Sequence, residues 1–232
     1  MKNMLTNKIL TGLPDADFAR LMPLLEPVSL AVGERLGGGY DVPRYFYFPE
    51  GSVVSCHADM HDGKSAEVAM VGFDGVVGLP ALLGSNRAPH STNVSVAGTA
   101  LRVRRDEFER ELQQSAALRD SLIAYAGEYM TQVSQRAACA VLHRMEQRMA
   151  VWLLLLRDRL ESDTVEITQE RIAQYLGARR AGVTEIACSL QRAGAISYTR
   201  GHLRIADRGA LRAVACECYS AMSGAGREQS VR

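Results

Sequence analysis

The stretch from Ala116 to Ala140 contains no proline and carries apolar residues along two separate lines. Leu118, Leu122, Tyr125 and Tyr129 form one; Ile123, Ala126, Met130, Val133, Ala137 and Ala140 form the other. Both alternate steps of three and four, the spacing of residues stacked on one side of a helix. The pattern predicts a long helix with two apolar faces, and such a helix needs two partners. One partner is the chain's own body. The other is either a second copy of the same helix, giving a dimer, or more of the core of a monomer.

The residues before this helix have a different rhythm. From about Val28 to Val103 short apolar runs recur: YFYF (Tyr45 to Phe48), SVVSC (Ser52 to Cys56), AEVAMV (Ala66 to Val71) and TNVSVAG (Thr92 to Gly98). Turn signals separate them at Gly37 to Gly39, Pro49 to Gly51, His61 to Gly63 and Phe73 to Gly75. Short strands with regularly spaced turns predict a sandwich or barrel. From Asp106 the period becomes helical, with Asp106 and Glu109 as an expected capping pair. Beyond the long helix a further one has Leu142, Met145, Met149, Trp152, Leu153, Leu156 and Leu160 on its apolar side, and Ser162 to Thr164 ends it.

The C-terminal part is the most informative. Thr168 is an expected N-cap, with Arg171 where a capping box would place an acid. Ile172, Ala173 and Leu176 form the apolar side of a short helix that Gly177 ends. A second helix starts at about Arg179 or Arg180, buries Val183, Ile186, Ala187 and Leu190, and stops at Gly194. ISYTRGHLRIAD then alternates about a turn at Arg200-Gly201 and reads as a hairpin. Helix, glycine turn, helix and hairpin make a winged helix-turn-helix, whose second helix enters the major groove of double-stranded DNA while the first lies across the backbone. Arg179 and Arg180 stand at that helix's N-terminus, where the dipole favours phosphate, and Arg200 and His202 stand at the hairpin tip. A helix pair with surface arginines is also an ordinary solvated surface; the order of the elements favours DNA.

Charge agrees mildly. Up to Cys139 there are 13 Lys and Arg against 16 Asp and Glu; after it there are 14 against 10, and all the later cations are arginine. Arginine makes bidentate contacts to phosphate and guanine that lysine does not. The N-terminus lacks the apolar core of a secretory signal, and the longest apolar run, Ala150 to Leu156, is too short to span a bilayer. Five cysteines in such a chain fit free thiols, so a cytoplasmic protein without membrane partners is expected.

ITQERIAQYLGARRAGVTEIACSLQRAGAISYTRGHLRIADRGAL resembles the DNA-binding domain of the Crp/Fnr family, whose pattern is roughly ITxxxIAxxxGxSRExVxRxLxxLxxxGxI. VGERLGGGYDVPRYFYFPEGSVVSC and GFDGVVGLPALLG resemble the family's glycine-punctuated effector barrel, and the long helix takes the place of its dimer helix. The resemblance runs from about Leu10 to Tyr219. It implies an α+β fold: a double-stranded β-helix (jelly-roll, cyclic-nucleotide-binding-like) sensor over residues 1–115, a dimerisation helix over 116–140 and a winged helix-turn-helix over 141–222. Residues 223–232 read as a disordered tail. The implied protein is a bacterial homodimeric transcription regulator, not an enzyme, that binds a palindromic operator and engages RNA polymerase. On this reading Thr168, Gln169, Arg179, Arg180, Thr184, Glu185, Arg200 and His202 face DNA, and Ile123, Ala126, Met130, Val133 and Ala137 form the dimer seam.

The departures from the family pattern are specific. Arg180 matches the reader arginine, but Ala181 replaces the following glutamate and Glu185 replaces the second reader arginine. A glutamate accepts from cytosine and cannot take guanine's acceptor edge, so a half-site other than TGTGA is expected. In the effector segments Gly78, Leu79, Pro80 and Ala81 lack the family's ribose-binding acid, and His90, before Ser91 and Thr92, stands where the phosphate-binding arginine would be. Each lost hydrogen bond to a charged group is worth roughly 1.5–3 kcal/mol, so an effector other than cyclic AMP is expected.

Other constellations compete. His57, His61 and Glu67 resemble a cupin-type metal set, which would make the barrel a metal sensor or enzyme, but their spacing differs and His61-Asp62-Gly63 reads as a turn. The cysteines, Cys56, Cys139, Cys188, Cys216 and Cys218, are scattered in sequence. Cys216 and Cys218, two apart on an expected helix after Asp207, would point to different sides. The N-terminus lacks an iron–sulfur cysteine cluster. No metal site is assigned; a haem-dependent sensor and a dimeric module without a DNA role stay open.

Overall fold

In the computed structural model, which describes residues 2–38, 41–85 and 90–223, strands dominate the first half of the chain and helices the second. Two short helices, α1 (Lys8–Gly12) and α2 (Asp15–Leu21), lead into β1 (Glu26–Leu30), β2 (Arg35–Gly37), β3 (Tyr45–Pro49), β4 (Val53–Asp59), β5 (Ser65–Val71), β6 (Ser91–Val96) and β7 (Gly98–Arg104). Then follow α3 (Arg105–Gln114), α4 (Ala116–Leu142) and α5 (Met145–Leu160). The chain closes with β8 (Thr164–Glu166), α6 (Gln169–Leu176), α7 (Arg180–Arg192), β9 (Ile196–Thr199), β10 (His202–Ile205), α8 (Arg208–Val214) and α9 (Cys218–Met222). Its contacts divide it into two compact units: Met1–Ala58 with Met70–Tyr129, and Asp59–Ala69 with Met130–Arg232. The tail reading of 223–232 falls, but for Ser223, outside the described residues. Among the described residues no helix is long and apolar enough to cross a membrane.

The strands of the first half make two sheets, β1-β7-β3 and β2-β6-β4-β5, the layered jelly-roll of the double-stranded β-helix, and β8-β10-β9 form a separate small sheet. In the first, β7 pairs antiparallel with β1 (Pro27 opposite Leu101) and with β3 (Phe46 opposite Val103). Phe46, Phe48, Val103, Val54 and Val94 are buried, and Phe108 of α3 closes the sheet edge with ring centroids 5.4 Å from Phe46 and 5.6 Å from Phe48. Asn7, fully buried, accepts from the Ile9 and Leu10 N–H groups and donates to the Pro49 and Gly75 carbonyls, so one side chain caps α1 and fastens it to the strands. The expected capping pair is not one. α3 starts two residues earlier than that reading requires, Arg104 is its cap residue, and Asp106 lies inside the first turn beside Arg104 and Arg110. Glu109 instead pairs with Arg105 one turn away.

The two stripes of α4 behave differently. Leu118, Leu122, Tyr125 and Tyr129 are buried. Gly75 admits this packing, because a Cβ there would lie 2.2 Å from the Tyr125 hydroxyl. On the second stripe Ala126 is buried and Val133 half-buried, whereas Ala137 is exposed and Ile123 and Met130 are 65% and 66% exposed. Leu142, assigned from sequence to the next helix, is instead the exposed last residue of α4.

In the second unit α5 is buried almost all round from Met149 to Leu156, more than a one-sided apolar stripe implies. Trp152 stacks on Tyr175 at 5.3 Å, and its indole N–H donates to Glu67 Oε1 at 2.9 Å. The same carboxylate meets Arg136 Nη1 at 2.6 Å and is wholly shielded from solvent. Burying a carboxylate is expensive unless a cation and a donor meet it, and here both do. Arg136→Ala therefore strands a buried charge and should cost about 3–5 kcal/mol in denaturant unfolding; Glu67→Gln strands the Arg136 guanidinium in turn, so the double change Arg136→Met with Glu67→Gln should cost clearly less than the sum of the single changes. Additive losses would contradict this account.

Candidate nucleic-acid interface

Thr168 caps α6: its hydroxyl accepts from the Arg171 N–H at 3.3 Å. No reciprocal acid completes a capping box, as the sequence implies. Ile172, Ala173, Tyr175 and Leu176 are buried, and Gly177 ends the helix with φ of 61°. The Ala178 N–H reaches back to the Ala173 carbonyl at 2.8 Å, which satisfies a carbonyl at the helix end. Arg148 of α5 donates to the Leu176 carbonyl at 2.8 Å and holds the turn from below.

α7 begins at Arg180, with Arg179 as its cap residue and no acid in its first turn. Val183, Ala187 and Leu190 are buried and Ile186 is half-buried. This packing leaves Arg179, Arg180, Ala181, Glu185 and Cys188 exposed. Among the described residues neither Arg179 nor Arg180 has an ion-pair partner, so two cations stand free at the positive end of a helix dipole. Thr184 donates to Gln169 Oε1 at 2.7 Å and to the Arg180 carbonyl at 3.1 Å, tying the start of α6 to the first turn of α7.

The hairpin β9–β10 turns through Arg200 (φ 48°) and Gly201 (φ 88°), the pair of left-handed residues that a two-residue turn requires. Arg200 is exposed at the tip. His202 is exposed too, and its Nδ1 lies 3.7 Å from Glu166 Oε1. A third strand, β8, pairs with β10; three residues carry too little pattern to be seen in advance. Tyr198 fixes the wing by donating to the Ile167 carbonyl at 2.7 Å, and burial pushes its hydroxyl pKa up. Thr168, Gln169, Arg179, Arg180 and Thr184 thus share one helix-turn-helix, Glu185 follows on α7, and Arg200 and His202 sit on the adjoining wing.

The expected effector segments also come together. Gly78, Leu79, Pro80, His90 and Thr92 line one cavity of the first unit, with Tyr45 and Tyr129 among its other walls. Its volume is about 30 Å³, the room of one or two waters. Ala81 and Ser91 are buried beside it without lining it. Gly78 has φ of 103°, and a Cβ there would strike the Phe46 ring at 2.6 Å, so the residue is set by backbone and packing.

The metal reading of His57, His61 and Glu67 does not survive. Glu67 is engaged by Arg136 and Trp152, and His61 lies in the turn between β4 and β5. Among the described residues the only histidine, cysteine and acid group gathered closely enough to hold an ion is Cys139, His143, Cys216 and Cys218. The expectation that Cys216 and Cys218 diverge on one helix is corrected. α8 ends at Val214, Ala215 is extended with ψ of 143°, and α9 starts only at Cys218, so the break lets both thiols turn inward. Burial, with Cys216 and Cys218 beside it, holds the Cys139 thiol pKa well above its usual range, and burial raises that of Cys216 as well.

Residues 147–214 match the model of the Crp-like helix-turn-helix domain. No curated protein matches the chain. Among solved structures, FixK2 from Bradyrhizobium japonicum is similar with a TM-score of 0.70 and 17% identity, over 83% of this chain and 98% of that one. The c-di-GMP-responsive global regulator CLP from Xanthomonas campestris gives 0.68 and 12%, over 84% and 100%. A Crp/Fnr-family transcriptional regulator from Thermus thermophilus gives 0.67 and 20%, over 82% and 98%. The chain thus carries a Crp-like helix-turn-helix domain over residues 147–214 within the fold of the Crp/Fnr-family transcriptional regulators.

Proposed function

We propose that this protein is a homodimeric transcription regulator that binds a two-fold-symmetric DNA site through α7 and the β9–β10 wing. The observation that carries the reading is the unpaired, exposed Arg179-Arg180 at an acid-free helix N-terminus, held by a capped neighbouring helix and flanked by a wing with Arg200 at its tip. Free guanidinium groups on a helix end meet phosphate or a guanine edge, and paired ones do not. Arg180 reads a base, Arg179 and Arg200 contact phosphate, and Thr168, Gln169 and His202 lie along the backbone. Glu185, exposed two residues after the buried Val183, sets a base preference different from that of an arginine at the same place. RNA polymerase is the downstream partner on this reading.

The exposed Ile123 and Met130, in line with Val133 and Ala137, supply the second face of α4, and a second copy of the helix covers them. The barrel acts as a sensor without catalysis. Its cavity, small and lined by leucine, proline and histidine where a nucleotide site would need an acid and an arginine, favours an effector other than cyclic AMP.

Recovery of bound DNA across the genome should yield symmetric sites whose half-sites lie about one helical turn apart. Selection from random DNA should return a half-site other than TGTGA; plain TGTGA repeats would refute the role given to Glu185. Arg180→Ala should cost about 1–3 kcal/mol for each half-site of the selected DNA, with much less effect on unrelated DNA. Arg200→Ala, present twice in the dimer, should weaken all sequences alike and lower the salt slope by about two, one per subunit. Met130→Glu should shift the protein toward monomer in sedimentation and abolish binding to the full site; an unchanged dimer would place the seam elsewhere.

A further inference from the structure

We propose that Cys139, His143, Cys216 and Cys218 bind a single zinc ion that clasps the C-terminal segment to the end of α4. All four belong to the second unit. Cys139 and His143 stand one turn apart on the same side of the α4 terminus, and the His143 N–H still bonds the Cys139 carbonyl at 3.1 Å, so the helical spacing holds through the histidine. Cys216 lies in the break between α8 and α9, and Cys218 opens α9. The Cys139 and Cys216 sulfurs are 3.6 Å apart, Cys218 Sγ lies 3.4 Å from His143 Nδ1, and all four ligand atoms fall within 4.8 Å of one another.

These distances suit one tetrahedral ion. Zinc bonds of about 2.3 Å to sulfur and about 2.0 Å to nitrogen put ligand atoms roughly 3.5–3.8 Å apart. The two close pairs already stand near that spacing, and the widest needs to contract by about 1 Å at most. Three thiolates and an imidazole form a soft donor set, which selects zinc over magnesium or calcium. A four-iron cluster spreads its thiolates around a cube and does not fit within this span.

The surroundings are those of a ligand set. The three cysteines are buried and His143 is largely so. The outer ring nitrogen of His143 faces the Glu217 carboxylate at 3.3 Å, which orients Nδ1 toward the thiols. Gln135 Nε2 donates to Cys218 Sγ at 3.1 Å, a hydrogen bond that favours thiolate. Glu217 sits between the two cysteines in sequence, so the segment that supplies two ligands also supplies the carboxylate behind a third. α8 and α9 have seven and five residues, too short to persist alone, and a metal clasp gives this end of the chain an anchor that local helix propensity does not.

The test uses the full chain purified without chelator. Elemental analysis should find one zinc per chain, and Cys188→Ser, which removes the exposed cysteine of α7, should keep it. Cobalt exchanged for zinc should give the visible bands of a tetrahedral thiolate site, a readout that needs no variant. Cys216→Ser should lose the metal. Glu217→Gln alters only an exposed side chain, so it should fold normally and bind zinc about tenfold more weakly. A freshly purified, folded protein with neither zinc nor a cobalt spectrum overturns the proposal. So does a Cys139–Cys216 disulfide, an iron–sulfur absorption, or zinc retained in full by Cys216→Ser.

Discussion

A 27-residue helix must bury apolar residues on more than one side, and most of the architecture follows from how α4 meets that demand. Its first half gives Leu118, Leu122, Tyr125 and Tyr129 to the first unit, and Gly75 leaves the space for Tyr125. Its second half belongs to the other unit and carries Arg136 to the buried Glu67 and Cys139 to the thiol and imidazole group. On the remaining stripe Ala126 is buried, but Ile123 and Met130 stay largely exposed among the described residues. Two isolated apolar residues on a surface mean little, but at helical spacing on one line they form a seam, and this is why the proposed dimer is an economical reading.

Arginine serves two purposes in the second unit. Arg136 neutralises a buried carboxylate, Arg148 holds a helix-end carbonyl, and Arg157 is engaged by Asp163 and Asp158. These side chains are tethered and act in the fold. Arg179, Arg180 and Arg200 are exposed, and among the described residues they have no such tether. A net excess of positive charge in the C-terminal half does not tell the two groups apart; the pairing does. Among the cations without an ion-pair partner, Arg179, Arg180 and Arg200 stand on the second helix and the wing, and the DNA contacts are assigned to them rather than to the half as a whole.

Much of this was legible in sequence because it rests on local rules. Gly177 and Gly194 punctuate helices, Arg200-Gly201 turns a hairpin, and steps of three and four make α4. Features that depend on distant residues were not legible. Nothing near Glu67 announces that Arg136 and Trp152 will meet it. Cys139 and Cys216 lie 77 residues apart, and the break at Ala215 that turns Cys216 and Cys218 the same way looks in sequence like a continuing helix. The three-residue strand β8 and the start of α3 one residue before Asp106 were missed for the opposite reason: the pattern is too short to carry a signal.

The claim that organises this account is that the free arginines of α7 and the wing exist to meet phosphate and a base edge. The most direct measurement is the affinity of the intact protein for its recovered genomic site as a function of salt concentration. The account predicts a steep linear fall of log affinity with log salt, since each neutralised phosphate releases counterions, with a slope corresponding to several phosphate contacts per dimer. Flat salt dependence, or no preference for any genomic fragment over bulk DNA, would contradict it and leave the chain a dimeric module without a role on DNA.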